Sequence, residues 1–476
     1  MKAEKFILNI LKYSIPTVIS AFIGIIIIPI ITNIYPTTEY GKISLYYSVG
    51  TMLASVFMLG LSNSCIRFFF EPINGSSKEQ LFNFAFFTGV IITIIIFIIS
   101  LSCFRNTISF YFFGEENTIS LLLFFVYIGS NIAYRLQSNY ARLSCDAKLF
   151  NIQQVLYIII NKVFFLSAVI YSTSYYYAIL LMTIGLLIEV IIIGKKSLTF
   201  SFSFPSKMAR SKLLIFALPL LPMEIAVMLN NSIAKLLLGF YKDYHSLGIL
   251  SMATNIASTF NLVSNAFSVY WSPFMFANYK KEQKMIQRIH NAVLLVSIIT
   301  VCCIFVLQDI LYVILGMNYR SSQPYFLLIM LMPIQMLICE TTSYGIGISK
   351  KTYFNMSISF IACVVNTIIS YLLYPYIGVN AMALGIALSA ITQMILKTVI
   401  GQRFYTSICS KKQTLYGIFT VCFLCLLNFY LYNNWKVRFF IGILIIGLSI
   451  IVFFKETKDI YYLCFKFLKK TRKNIY

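Results

Sequence analysis

Charge is what this chain has least of. Of its 476 residues, 11% are charged, less than half the roughly 25% of a soluble domain. A mean hydropathy of +0.83 leaves no composition for a sizeable aqueous domain. Carboxylates are the scarcest charges, 15 Asp and Glu against 38 Lys and Arg, and no pair of them sits on a loop long enough to build a catalytic domain. Histidine falls to two, His245 and His290, both expected near loops. No GxxxxGK[ST] phosphate loop occurs, so the energy for any work must come from a gradient or from removal of product. The eleven cysteines fall mostly inside apolar runs, such as Cys65, Cys302, Cys303 and Cys363. Cys422 and Cys425 form a CxxC without a second pair or a histidine partner, which gives neither a zinc nor a redox site.

What is there instead is a series of long apolar runs. A helix needs about 20 apolar residues to cross a bilayer. By that measure about fourteen spans are expected, centred near 12–34, 43–66, 81–104, 118–140, 151–171, 174–194, 212–238, 247–270, 289–315, 323–345, 353–373, 379–401, 414–432 and 437–454. No cleavable signal peptide is expected, because the first run continues into the multi-span pattern. Every second gap is basic. The gap 195–212 holds Lys195, Lys196, Lys207, Arg210 and Lys212, and the next holds Lys280, Lys281, Lys284 and Arg288, whereas the intervening gaps carry only Lys42, Arg105, Lys242, Arg320, Lys436 and Arg438. Such alternation predicts an all-α integral membrane protein with both termini cytoplasmic. The charge of +23 then faces an anionic leaflet, not nucleic acid.

The most polar internal stretch, KKSLTFSFSFPSKMARSK, reads as a linker. It divides a lobe of six spans at 1–194 from a second lobe at 212–401, with the linker at 195–211, two further spans at 402–454 and a basic tail at 455–476. The tail interleaves Tyr461, Tyr462, Phe465 and Phe467 with its cations and reads as an amphipathic helix on the inner leaflet. Faint similarity between Pro16–Phe68 and Pro219–Phe274, each with a proline and then Tyr40-Gly41 or Leu247-Gly248, points to a parallel repeat.

Polarity inside a span costs at least roughly 2.5–3.5 kcal/mol per charge, so the residues that break the apolar pattern are the candidates for function. Arg135, Lys162 and Lys235 are the cations expected to face a water-filled cavity. Glu224 follows Pro219 and Pro222, which predict a local break in its helix, and Asn230, Asn231 and Ser232 precede Lys235. Glu224, Asn230 and Asn231 are expected to line the cavity or couple transport to an ion. Arg67 and Glu71 close the second span on the inner side, as a cytoplasmic gate or as interfacial charges. Glu189 reads as an interfacial charge.

Five segments, in order along nearly the whole chain, resemble one family. They are IPIITNIYPTTEYGKISLYYS (Ile28–Ser48), LGLSNSCIRFFFE (Leu59–Glu71), FALPLLP (Phe216–Pro222), the F-x-x-x-W-x-P-F pattern of Phe267, Trp271, Pro273 and Phe274, and NTIISYLLYPYIGVNAMALGIALS (Asn366–Ser389). These are similar to the Wzx-like polysaccharide flippases of the multidrug/oligosaccharidyl-lipid/polysaccharide exporter superfamily. The resemblance implies two pseudo-symmetric lobes in a V around a central cavity, in a bacterial inner membrane. It implies no cofactor and no enzyme activity, with coupling to an H+ or Na+ gradient open. The implied cargo is an undecaprenyl-diphosphate-linked oligosaccharide for O-antigen or capsule. The implied partners are membrane lipids, a polysaccharide polymerase and a chain-length regulator. Arg135, Lys162 and Lys235 would then offset the diphosphate charge. A cation-coupled multidrug antiporter and a lipid II flippase stay open as alternatives, and a membrane-embedded polymerase or acyltransferase is the remaining rival.

Overall fold

The computed structural model describes residues 19, 22–24, 26–71, 73, 75–144 and 146–458. The basic tail read as an amphipathic helix and the first half of the expected first span lie outside the described residues, apart from 455–458. Among the described residues the protein is helical throughout and contains no strand. In chain order the α-helices are α1 Thr37–Phe57, α2 Leu61–Phe70, α3 Lys78–Cys103, α4 Arg105–Phe113, α5 Thr118–Leu143, α6 Ala147–Lys162, α7 Tyr175–Gly194, α8 Lys207–Ala217, α9 Leu221–Phe240, α10 Tyr244–Ser258, α11 Asn261–Asn278, α12 Gln283–Ile314, α13 Phe326–Thr342, α14 Tyr344–Ile348, α15 Tyr353–Ile377, α16 Asn380–Phe404, α17 Lys411–Leu431 and α18 Trp435–Val452. Among the described residues twelve helical stretches are long and apolar enough to cross a membrane, and α1 with α2 makes a thirteenth if that bent pair is one span. This is a multi-pass membrane protein.

The chain forms two compact units, one of Met1–Met252 with Gly316–Tyr319, the other of Ala253–Leu315 with Arg320–Tyr476. In the first, α5 is the central helix, packed by α1, α3, α6 and α7. Its Ser130, Asn131, Gln137 and Ser138 are buried, so polarity is concentrated on the helix with the least lipid contact. The lipid-facing side is plain by contrast: Ile91, Ile94, Ile95, Ile98 and Ile99 of α3 are all exposed. In the second unit α13 has the central place, packed by α11, α12, α16 and α17.

Four features differ from the expectation. The second span is not one straight helix over 43–66. It starts directly after Pro36, the residue before its first turn, and bends by 56° between α1 and α2. The corner is made by Leu59 (φ 50°) and Gly60 (φ 72°), two left-handed residues that no α-helix accommodates. The gap after the third span contains a helix of its own, α4. Lys436 and Arg438, expected in an outside gap, lie inside α18, and Arg438 is fully buried. His290, expected near a loop, is buried within α12, where its ring nitrogens meet Thr341 Oγ1 at 2.8 Å and Thr414 Oγ1 at 3.1 Å.

The polar stretch after α7 is strapped along α3 rather than free. Phe200 stacks on Phe86 at 3.9 Å between centroids, and Phe202 stacks on Phe87 at 4.5 Å. Between the rings, Asn83 Nδ2 donates to Ser201 Oγ at 3.0 Å and to the Ser203 carbonyl at 3.1 Å. Ser201 and Ser203 are exposed and at the same time satisfy the buried side chain of Asn83.

Candidate functional site

The site is built on one face of α1. Ser44, Ser48, Thr51 and Ser55 recur at i, i+4, i+7 and i+11, the spacing of a single helical stripe. Thr51 Oγ1 donates back to the Tyr47 and Ser48 carbonyls, each at 3.0 Å, a local bond that lets a hydroxyl sit in an apolar helix without a distant partner. Two intramembrane cations close on this stripe from other helices. Lys235 of α9 donates from Nζ to Ser44 Oγ at 3.1 Å and to Ser48 Oγ at 2.9 Å. Arg135 of α5 donates to Ser55 Oγ and, through Nη2 at 3.1 Å, to the Thr51 carbonyl. The two anchoring points lie about 10 Å apart along the helix axis, at about 1.5 Å of rise per residue. The oxygens that both cations meet are neutral, and among the described residues neither forms an ion pair.

Arg135 also borders a cavity of about 450 Å³ within this unit. Its walls come from α1 and α2 (Tyr47, Thr51, Ser62), from α5 (Tyr134, Ser138, Asn139) and from α6 (Gln154, Tyr157). Tyr134 and Tyr157 stack at 4.0 Å and 13°. Gln154 Nε2 donates to Ser138 Oγ at 2.7 Å, and Asn139 Nδ2 to Ser62 Oγ at 2.9 Å. Among the described residues Arg135 is the one charged residue in this lining, and no carboxylate belongs to it.

The other expected site residues fall into three groups. Glu224 is in the first turn of α9, where an anion is favoured by the helix dipole, and it lies within electrostatic reach of Arg135. The proline-induced break appears as a 3-10 turn at Leu218–Leu220. Asn230 is buried, whereas Asn231 points outward. Lys162 is the last residue of α6. It does not line the Arg135 cavity, and its place at a helix C-terminus, where carbonyls carry partial negative charge, suits a cation on its own account. Arg67 and Glu71 pair with each other at 3.0 Å on an exposed surface, with side chains 55% and 59% exposed.

Two things were missed by sequence reasoning. One is the hydroxyl stripe of α1, whose serines and threonine the sequence carries at helical spacing. The other is Glu189, which is 2% exposed on α7 and has no hydrogen-bond partner for either carboxylate oxygen among the described residues. It is not an interfacial charge, because the surrounding helices enclose it. A buried carboxylate without partners opposes folding, so Glu189→Gln is expected to leave thermal stability unchanged or raise it. Size-exclusion melting curves of detergent-solubilised protein check this, and a fall of several degrees would show that the carboxylate is needed by the fold.

Solved structures share this architecture. The lipid II flippase MurJ in an inward closed conformation matches over 95% of this chain and 99% of its own, with a TM-score of 0.70 at 15% identity. An inward-facing multidrug resistance MATE family transporter of the MOP superfamily matches over 80% of this chain and 97% of its own, with a TM-score of 0.54 at 13% identity. At these identities the likeness is one of fold. No curated protein is similar enough in sequence to count as a relative. Residues 7–278, more than half the chain, match the family described as polysaccharide biosynthesis protein, and this chain, with its many apolar helices, is a member of that family.

Proposed function

We propose that the chain is a flippase for an oligosaccharide repeat unit carried on undecaprenyl diphosphate. It moves the unit from the inner to the outer leaflet of a bacterial inner membrane for O-antigen or capsule synthesis. The observation that carries this reading is the pair of cations, Arg135 and Lys235, held by neutral oxygens on one hydroxylated face of α1. A diphosphate cannot enter a low-dielectric interior without compensating charge, and fixed guanidinium and ammonium groups backed by hydroxyls supply it. Outward movement of net negative charge is favoured by an inside-negative potential, by about 2.3 kcal/mol per charge per 100 mV. Family membership and the shared transporter fold agree with transport and not with catalysis.

Alternating access is the proposed mode, with the prenyl tail remaining in lipid. Glu224 and Glu189 are the carboxylates at which an H+ or Na+ gradient would couple. A polymerase and a chain-length regulator are the proposed partners downstream. The antiporter alternative draws on the same two carboxylates, but the charges that meet the hydroxyl stripe are cations, which favours an anionic cargo.

The test is complementation of a bacterium lacking its own O-unit flippase, at matched expression. The native chain is expected to restore surface polysaccharide. Arg135→Ala and Lys235→Ala are expected to lower it more than about thirtyfold, the effect of losing roughly 2 kcal/mol of charge pairing. Lys162→Ala separates a place on the path, which costs activity, from a helix-end role, which does not. Full activity of both Arg135→Ala and Lys235→Ala would remove the site assignment. A native chain that moves no undecaprenyl-diphosphate-linked sugar in proteoliposomes would remove the flippase reading itself.

A further inference from the structure

We infer that the cavity beside Arg135 is a sugar subsite, which receives the monosaccharide attached directly to the diphosphate and discriminates among carriers by that sugar. The inference rests on the flippase reading and adds a location and a ligand class to it. A volume of about 450 Å³ exceeds what a phosphate fills and lies in the range of small-molecule sites, about 300–1,000 Å³. Tyr47, Ser138, Asn139, Gln154 and Tyr157 give the walls hydroxyls and amides, which donate and accept alike. That suits the hydroxyl groups of a sugar, each both donor and acceptor. An anion alone would call for donors only.

The rings of Tyr134 and Tyr157 stack on each other and brace this wall, so the surface offered to a sugar is mainly polar. Arg135 marks the phosphate end. Its guanidinium carries five N–H donors, and its contacts with Ser55 and Thr51 fix its orientation and leave donors over. Among the described residues no carboxylate lines the cavity and Arg135 does, so the class of sugar that fits is neutral or anionic, and a free amino sugar is disfavoured. The lining groups are positioned before any ligand arrives: Gln154 is held by Ser138, Asn139 by Ser62, and Tyr157 donates to Asn131 Oδ1 at 3.1 Å. Such preorganisation is what discrimination between similar sugars requires.

The experiment measures binding of the purified full chain in lipid nanodiscs to undecaprenyl diphosphate, bare or bearing a single N-acetylglucosamine, glucose or galactose. At least one sugar-bearing carrier is expected to bind about tenfold more tightly than the bare one. Gln154→Leu is expected to bring that ratio to within about twofold while bare-carrier affinity holds. Tyr157→Phe, which keeps the ring, is expected to retain part of the preference. Lys235→Ala is expected to weaken all carriers equally, because Lys235 lies outside this cavity. Equal binding of all four carriers by the native chain overturns the subsite and leaves the flippase reading standing. Parallel weakening of bare and sugar-bearing carriers by Gln154→Leu overturns it as well, by showing a structural role. Failure of the native chain to bind bare undecaprenyl diphosphate removes the flippase reading together with the subsite.

Discussion

Asp309→Ala is expected to cost about 3 kcal/mol, the low end of what stripping one partner from a buried ion pair costs, because only the cation of this pair is buried. Asp309 sits near the C-terminal end of α12 and pairs with Arg438 near the N-terminal end of α18. The pair is asymmetric: Arg438 is 0% exposed, and Asp309 is 41% exposed. Arg438 also donates from Nη1 to the Phe305 carbonyl at 2.6 Å, and Asp309 accepts from Gln323 Nε2 at 2.6 Å. Removing the carboxylate strands a guanidinium in the packed interior. Removing the guanidinium by Arg438→Met leaves a carboxylate with another donor and access to the surroundings. Asp309→Ala is therefore the worse of the two, with a melting midpoint lower by roughly 10 °C. The double variant Asp309→Leu with Arg438→Met is expected to recover most of that loss, because an apolar pair of similar volume carries no desolvation penalty. Melting curves of the three variants by size exclusion decide the matter. A single Asp309→Ala within a degree of the native midpoint would mean that the pair does not hold α18 to α12.

The second large effect is expected at Gly41 and Gly248. A Cβ on Gly41 would overlap the Tyr244 carbonyl oxygen, and a Cβ on Gly248 would overlap that of Thr37. Each glycine thus lies against the residue one helical turn before the other, and the interval from Gly41 to Gly248 equals that from Thr37 to Tyr244. That is the close crossing that small residues allow between membrane helices, where backbone contact substitutes for a hydrophobic driving force. A backbone carbonyl cannot swing aside as a side chain can. Gly248→Ala should therefore force α1 and α10 apart at about 1–3 kcal/mol, and Gly248→Leu should cost more. Once the helices are apart, the second methyl group meets space already opened. Gly41→Ala with Gly248→Ala is therefore expected to be clearly less destabilised than the sum of the single variants. Strict additivity in the melting midpoints would show that the two glycines do not share one crossing.

The helical membrane fold was legible because its signal is long and one-dimensional: apolar runs of span length and basic gaps on alternate sides need no knowledge of contacts. The corner at Leu59-Gly60 was not, since Leu59 is an ordinary helix former and only its φ of 50° betrays the break. Arg135 and Lys235 stood out as charges in apolar helices, but their common support on α1 depends on which helices are neighbours, and neither charge nor spacing encodes that. The stripe of Ser44, Ser48, Thr51 and Ser55 was in reach, because its period is helical. It was passed over because serine and threonine are tolerated so readily in spans that they draw no notice. Glu189 misled for a related reason: its distance from the end of α7 suits an interfacial charge, while burial is decided by the residues around it.

The strap along α3 bears on how the chain is made. Asn83 meets Ser201 and Ser203 across 118 to 120 residues of sequence. When the ribosome has delivered α3 to the bilayer, the partners of Asn83, Phe86 and Phe87 have yet to be synthesised. The N-terminal end of α3 must wait, incompletely satisfied, until α7 has been inserted and the chain has returned past residue 203. A truncated product ending at Gly194 would contain every helix from α1 to α7 and still lack this closing piece. The surroundings of α3 are therefore complete only some ten residues after α7 has emerged, and a fragment that keeps this strap must extend at least through Ser206, whose backbone N–H donates to Ser76 Oγ.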